Sequence, residues 1–256
     1  MNSQFGDVTV ASEGYVAVVS FSRPPNNFFD LALIVNLADA FEAVDADREL
    51  RAIVLASEGK AFCAGASFSG GEGTGGGEPI ALYREANRLF ATRKPIVGAI
   101  QGPAIGGGLG LALAPDFRVV APEARFAANF VKIGIHPGFG LTHTLPRVIG
   151  QQNAALLLYT GRRIDGEEAL RIGLADMLVP AADLRARAVA LAAEIAENAP
   201  LAVEATRATM RADLAEAIGK QCERESAAQM ALFKTADFRE GVKAVSERRP
   251  GRWVAA

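Results

Sequence analysis

Residues 102–116 read GPAIGGGLGLALAPD, and the fold turns on what those glycines do. Gly106, Gly107 and Gly108 open an apolar run of helical character, and Gly110 stands one step inside it. Glycines this dense at a helix start bring backbone N–H groups close to a neighbour. Nucleotide loops do not fit. A G-x-G-x-x-G/A fingerprint counted from Gly106 places Leu111 in the sixth position, and counted from Gly108 it places Leu113 there. No Gly-Lys-Ser/Thr closes a phosphate loop. Two readings remain. The glycines let a helix pack closely on a sheet, or they present one of two N–H donors to a carbonyl that gains negative charge in a reaction. The second donor would come from the CAGAS turn at 63–67, which follows a strand.

The flanks read as alternating strands and helices. DVTVAS and YVAVVSFS, separated at Glu13-Gly14, form an N-terminal hairpin. Asp30 is an N-cap for a helix whose buried face carries Leu31, Ile34, Val35, Ala38, Phe41 and Val44. Strands at 51–57, 95–100 and 117–121 alternate with a helix around 80–92 and the glycine-rich helix, which is βαβ logic and a largely parallel sheet. Between them, residues 70–77 are almost all glycine, either a mobile lid or a plain surface loop. From residue 150 the texture is helical and alanine-rich. The expected layout is a core over 1–195 and a helical region over 196–256.

Bulk properties narrow the function. Half of the 256 residues are hydrophobic and the net charge is −2, so no global field recruits nucleic acid. The acidic helix near residue 40 carries Asp39, Glu42, Asp45 and Asp47 without lysine, which argues against RNA. No apolar run is long enough to span a bilayer and the first segment lacks a signal-peptide pattern, so a soluble cytoplasmic protein is expected. Cys63 and Cys222 lie far apart, without metal-site or disulfide spacing, and no metal is expected.

At GKAFCAGASF (59–68), KPIVGAIQGPAIGGGLGLALAPDFRVVAPEARF (94–126), KIGIHPGFGLTHTLPRVIG (132–150), GRRIDGEEALRIGLADMLVP (161–180) and DFREGVKAVSERRPGRW (237–253), the chain resembles the crotonase superfamily, the enoyl-CoA hydratases and isomerases. The resemblance implies an α/β, crotonase-like (ClpP/crotonase) fold of repeated ββα turns with a C-terminal helical trimerisation region, as a homotrimer or homohexamer. It also implies an acyl-CoA thioester substrate, with coenzyme A as part of that substrate rather than a cofactor. The thioester carbonyl would sit between the backbone amides of Ala66 and Gly107. Ala64, Gly65, Ala66, Ser67 and Phe68, with Gly106, Gly107, Gly108, Phe130 and Phe139, would contact the substrate. Ser67 departs from the family, which has Asp there.

The family's hydratases place two glutamates where this chain has Gly110 and Phe130. Double-bond isomerases keep the one at Phe130. Dienoyl isomerases and aroyl-CoA dehalogenases use an aspartate at the position of Gly138, and the naphthoate-forming branch uses one at Pro137. Each position here is apolar or bare. Hydration of an enoyl thioester needs a group to take a proton from water and another to protonate the α-carbon. Among the remaining titratable groups, His136 is an acid/base candidate, or else a histidine held by backbone in a turn. Glu72 and Glu78 lie in the glycine-rich segment. His143 faces other packing, and Asp116 and Cys63 read as structural. The expected function is thioester chemistry through an oxyanion-hole-stabilised enolate other than two-glutamate hydration: isomerisation, decarboxylation or C–C cleavage. The alternative is a homologue that binds acyl-CoA without turnover.

Overall fold

The computed structural model describes residues 3–66 and 79–256. Its N-terminal strands β1 (Ser3–Phe5), β2 (Val8–Glu13) and β3 (Val16–Phe21) pair antiparallel as expected, but the Glu13↔Val16 register puts the two-residue turn at Gly14 and Tyr15, one position later than Glu13-Gly14. Helix α1 (Leu31–Ala46) starts where Asp30 accepts the Leu33 N–H at 2.9 Å. Its buried face differs from the expectation at two positions, and Val35 is only half-buried. Leu31, in the first turn, is exposed, and Leu33 and Leu37 take its place beside Ile34, Ala38, Phe41 and Val44.

Strand β4 (Ala52–Ser57) follows, then α2 (Pro79–Ala91) and β5 (Ile96–Ile100). At Gln101 and Gly102 the chain leaves the sheet into β6 (Pro103–Ile105), and α3 (Gly107–Ala112) begins two residues later. Strand β7 (Phe117–Val120) returns to the main sheet and β8 (Arg125–Ala127) leaves it again. After a 3-10 turn at Asn129–Ile133 come α4 (Leu141–Thr160), kinked at Gly150, β9 (Arg163–Asp165), α5 (Gly166–Arg171) and β10 (Met177–Leu178). Helices α6 (Leu184–Ala196), α7 (Pro200–Met210), α8 (Leu214–Leu232) and α9 (Ala236–Ser246) complete the chain.

The main sheet has the order β1-β2-β3-β4-β5-β7-β10, parallel from β3 onward, and β6-β8-β9 form a second small sheet. Repeated departures from the first sheet into the second give the stepped ββα turns that the resemblance implies. Because the parallel strands are covered on both faces, they read as continuous apolar runs rather than alternating ones. In β4, Ile53 and Leu55 face the large core with α1 and α2, whereas Ala52, Val54 and Ala56 face α6. Helix α6 meets that face with Leu184, Ala188, Ala192 and Ala196, a stripe at every fourth residue.

The C-terminal helices are tied to this core by a half-buried carboxylate. Asp116 accepts the Ile96 N–H at 2.8 Å, Arg207 Nε at 2.8 Å and Arg211 Nη1 at 2.7 Å. This pins the start of β5 to the end of α7. Helix α8 packs along α2 and against α4, so residues beyond 196 form a wall of the core domain. Among the described residues no helix is long and apolar enough to cross a membrane.

Candidate active site

The two glycine-flanked turns meet. Cys63 pairs with Ala104 as a parallel bridge, with Cys63 N–H donating to Pro103 O (2.9 Å) and Ile105 N–H to Cys63 O (3.0 Å). A Cβ built on Gly65 would lie 2.6 Å from Ile105 O and 3.4 Å from Gly107 N, so the turns touch backbone to backbone. Gly106 has φ 57° and ψ −121°, a conformation reserved for glycine. A side chain on Gly108 would strike Cys63 O at 2.0 Å, so close packing accounts for that glycine. Phe29 N–H donates to Gly65 O at 3.0 Å and Ala64 N–H to Asn26 O at 3.0 Å, which hold the first turn. Among the described residues nothing accepts the N–H of Ala66 or of Gly107.

Both turns open on a cavity of about 470 Å³. Ala64, Gly65 and Ala66 line one side, Ile105, Gly106 and Gly107 another. Phe28, Phe29, Phe130, Ile133 and Ile135 make an apolar wall, Leu82 and Tyr83 come from α2, and Gln229, Phe233, Val242, Val245 and Ser246 come from α8 and α9. A larger cavity, about 730 Å³, lies elsewhere, beneath α7 beside Asp116 and Arg207, and neither glycine turn reaches it.

The expected site residues divide. Ala64, Gly65, Ala66, Gly106, Gly107 and Phe130 line the cavity, whereas Gly108 lies beneath it against Cys63. Phe139 does not line it. It is buried behind the wall, its ring 5.6 Å from that of Phe29 and 6.3 Å from that of Tyr83. His136 is off the wall too: its Nδ1 contacts Pro137 O at 2.7 Å, and its carbonyl accepts Gln229 Nε2 at 2.8 Å. The geometry at His136 is that of a histidine held in a turn. Ser67, Phe68, Glu72 and Glu78, and the glycine-rich stretch at 70–77, lie outside the described residues.

The vacant acid/base positions are physically filled. A Cβ on Gly110 would come within 2.7 Å of Phe139 Cβ and Cδ1. A Cβ on Gly138 would fall 1.9 Å from Tyr83 Oη and 2.7 Å from Gln229 Nε2. Tyr83 Oη donates to Gln229 Oε1 at 2.8 Å. Neighbouring Glu225 is wholly buried on α8 and accepts the N–H groups of Gly140 (2.7 Å) and Thr142 (2.9 Å) and the Thr142 hydroxyl (2.5 Å). Burial pushes its carboxyl above the ordinary range even though those bonds favour the anion. Burial likewise raises the Tyr83 phenol and pushes the thiols of Cys63 and Cys222 up to about 12, which leaves the cysteines inert fillers.

Tyr83 and Gln229 are absent from the sequence reading of the site. One signal points to them. The buried stripe of α8 runs Leu214, Ile218, Cys222, Glu225, Gln229 and turns polar toward its end, and polar groups on a buried stripe serve a network or a site.

Residues 11–255 match the family model described as Enoyl-CoA hydratase/isomerase. The chain is 32% identical to the crotonyl-CoA hydratase of Syntrophomonas wolfei, covering 98% of this chain and 99% of that protein. It is also 32% identical to the short-chain-enoyl-CoA hydratase of Clostridium acetobutylicum, over 96% and 97% of the two chains. The crystal structure of an enoyl-CoA hydratase/isomerase from Pseudoalteromonas atlantica superposes with a TM-score of 0.88 at 29% identity, over 97% of this chain and all of that one.

Proposed function

Since the chain belongs to the enoyl-CoA hydratase/isomerase family, whose substrates are acyl-CoA thioesters, we propose that it holds the thioester carbonyl between the N–H groups of Ala66 and Gly107. The observation that supports this reading is that Ala66 and Gly107, whose N–H groups have no partners among the described residues, both line one largely apolar cavity. As an enolate forms, negative charge moves onto the carbonyl oxygen. Two preset donors stabilise that charge without reorganisation, and losing one such donor costs about 10²–10³ in rate. Coenzyme A is the handle of the substrate, not a cofactor, and the assembly is a homotrimer or homohexamer.

The reaction is other than two-glutamate hydration. Among the described residues lining the cavity there is no carboxylate and no imidazole, and Phe139 fills the space beside Gly110. Isomerisation, decarboxylation and C–C cleavage remain, each passing through the same enolate. The same absence favours a second reading, an acyl-CoA-binding homologue without turnover. Ala66→Pro removes one proposed donor. A panel of acyl-CoA thioesters assayed with the wild type and this variant separates the readings. Turnover in the wild type that falls at least 10²-fold in the variant supports the first. Tight binding with no turnover of any thioester supports the second, and equal turnover in both proteins refutes the amide pair.

A further inference from the structure

Resting on that reading, we propose that Tyr83, positioned by Gln229, is the catalytic residue that passes protons to and from the α-carbon of the bound thioester. Tyr83 is the one titratable side chain among the described residues lining the cavity. Every other polar side chain there, Asn129, Gln229 and Ser246, is neutral and does not titrate in the ordinary range. The phenol is held, not loose. Gln229 Nε2 donates to the His136 carbonyl, which turns the amide oxygen toward Tyr83 Oη. Position matters as much as chemistry. The Phe139 ring touches both the Tyr83 ring and that of Phe29, and Phe29 Cζ lies 2.4 Å from where a Cβ on Gly107 would stand. Tyr83 and Gln229 line the same cavity as Ala66 and Gly107. It also occupies the space of any side chain at 138, so no group from that loop can compete with it.

The step balances as follows. The Tyr83 hydroxyl rotates from Gln229 toward the substrate and gives its proton to Cα. The enolate C=C electron pair becomes the new C–H bond and the thioester carbonyl re-forms. The negative charge passes to the phenolate, which then takes a proton from water, and buffer neutralises the hydroxide. In reverse the phenolate removes an α-proton. In D₂O the net change is exchange of a substrate α-hydrogen for deuterium. No charged side chain lines the described wall, so the fitting acyl group is uncharged, because a charge without a partner is costly in such a cavity.

Butyryl-CoA, a saturated and uncharged thioester, is the probe. Its α-proton signal is followed by NMR in D₂O from pH 7 to 10, with affinity measured by calorimetry. The titratable groups around the phenol are Glu225 and Cys222 on α8 and, beside Glu225, His136 in the loop before α4. With a buried phenol as the base, the exchange rate rises about tenfold per pH unit without levelling. A carboxylate base would level above about pH 5 and an imidazole above about pH 7. Tyr83→Phe leaves the three neighbours in place. It should lower exchange at least 10²-fold, within the range of general acid–base catalysis, with butyryl-CoA affinity held within a few-fold.

A plateau near neutral pH, undiminished exchange in Tyr83→Phe, or binding without exchange in the wild type would overturn the role of Tyr83. The wild-type pH profile reads this even if the variant folds poorly. Exchange that needs the Ala66 N–H but not Tyr83 leaves the amide-pair reading standing, whereas failure of the wild type to bind butyryl-CoA sinks both.

Discussion

Gly110→Ala is the sharpest probe of how this site is built. Gly110 is helical and buried, so in open space alanine would stabilise α3 by about 1 kcal/mol. Here the new Cβ would lie 2.7 Å from Phe139 Cβ and Cδ1, against an optimal carbon–carbon separation of about 3.5–4.0 Å. Phe139 Cβ is fixed to a backbone at φ 65°, so rotating the ring does not clear the contact. Overpacking of this kind costs about 1–3 kcal/mol. The expected net loss is about 0–2 kcal/mol, which lowers Tm by up to about 8 °C in a chain of this size.

The decisive measurement is a double-mutant cycle by urea or thermal unfolding. Phe139→Gly alone costs about 3–5 kcal/mol through the lost ring. In that background Gly110→Ala should become neutral or stabilising, a coupling of about 1–3 kcal/mol. If Gly110→Ala destabilises equally in both backgrounds, Phe139 is not what excludes a side chain at 110. By the same geometry, Gly110→Glu alone should gain no hydration of crotonyl-CoA, read as unchanged enoyl absorbance.

Three further outcomes test other parts of the structure. Asp116→Ala strands the buried guanidinium groups of Arg207 and Arg211 and should cost about 3–5 kcal/mol in urea unfolding; a loss below 1 kcal/mol would mean that the clamp is unimportant. Glu240 is held down to about 2 by Arg249 and the Arg252 N–H, so its contribution to docking the C-terminal tail is full above the ordinary carboxylate range and lost as pH falls toward 2. Trp253 in that tail is the sole tryptophan, and its emission should shift over that window in the wild type and already at neutral pH in Glu240→Gln. Glu225 has the opposite sign: its raised carboxyl holds its proton longer in the folded state, so stability falls as pH rises from the ordinary range through the raised value, and Glu225→Ala should flatten that part of the unfolding profile.

Much of this architecture was legible beforehand, because periodicity reports burial directly. The unbroken apolar run at 51–57 meant a strand covered on both faces, and β4 is that strand. The Asp30 cap was readable because an Asx side chain before a helical pattern has one common use. The glycine turns stood out as dense backbone approaches; close packing explains Gly108, and Ala66 and Gly107, which the family resemblance pointed to, border one cavity. What was hidden depends on contacts distant in the chain. Tyr83 and Gln229 are 146 residues apart, and neither periodicity nor spacing says that their side chains meet. His136 looked available because its type titrates near neutrality, yet its position in the turn before Pro137 keeps it off the wall. Phe139 looked like substrate wall because it is aromatic and near the site, but the bare Gly110 leaves a hole that only its ring fills.

The cavity wall draws on residues from Phe28 to Ser246, so it needs α8 and α9 to close it. During synthesis, at about 5–20 residues per second, the sheet and both amide turns leave the ribosome well before α8 and α9 exist. A nascent chain at that stage exposes Phe28, Phe29 and Phe130 to water and has no Gln229 to orient the phenol. The cavity is therefore complete only once α8 and α9 have been made and have docked. A fragment lacking the last two helices would be a chaperone client rather than a weaker enzyme.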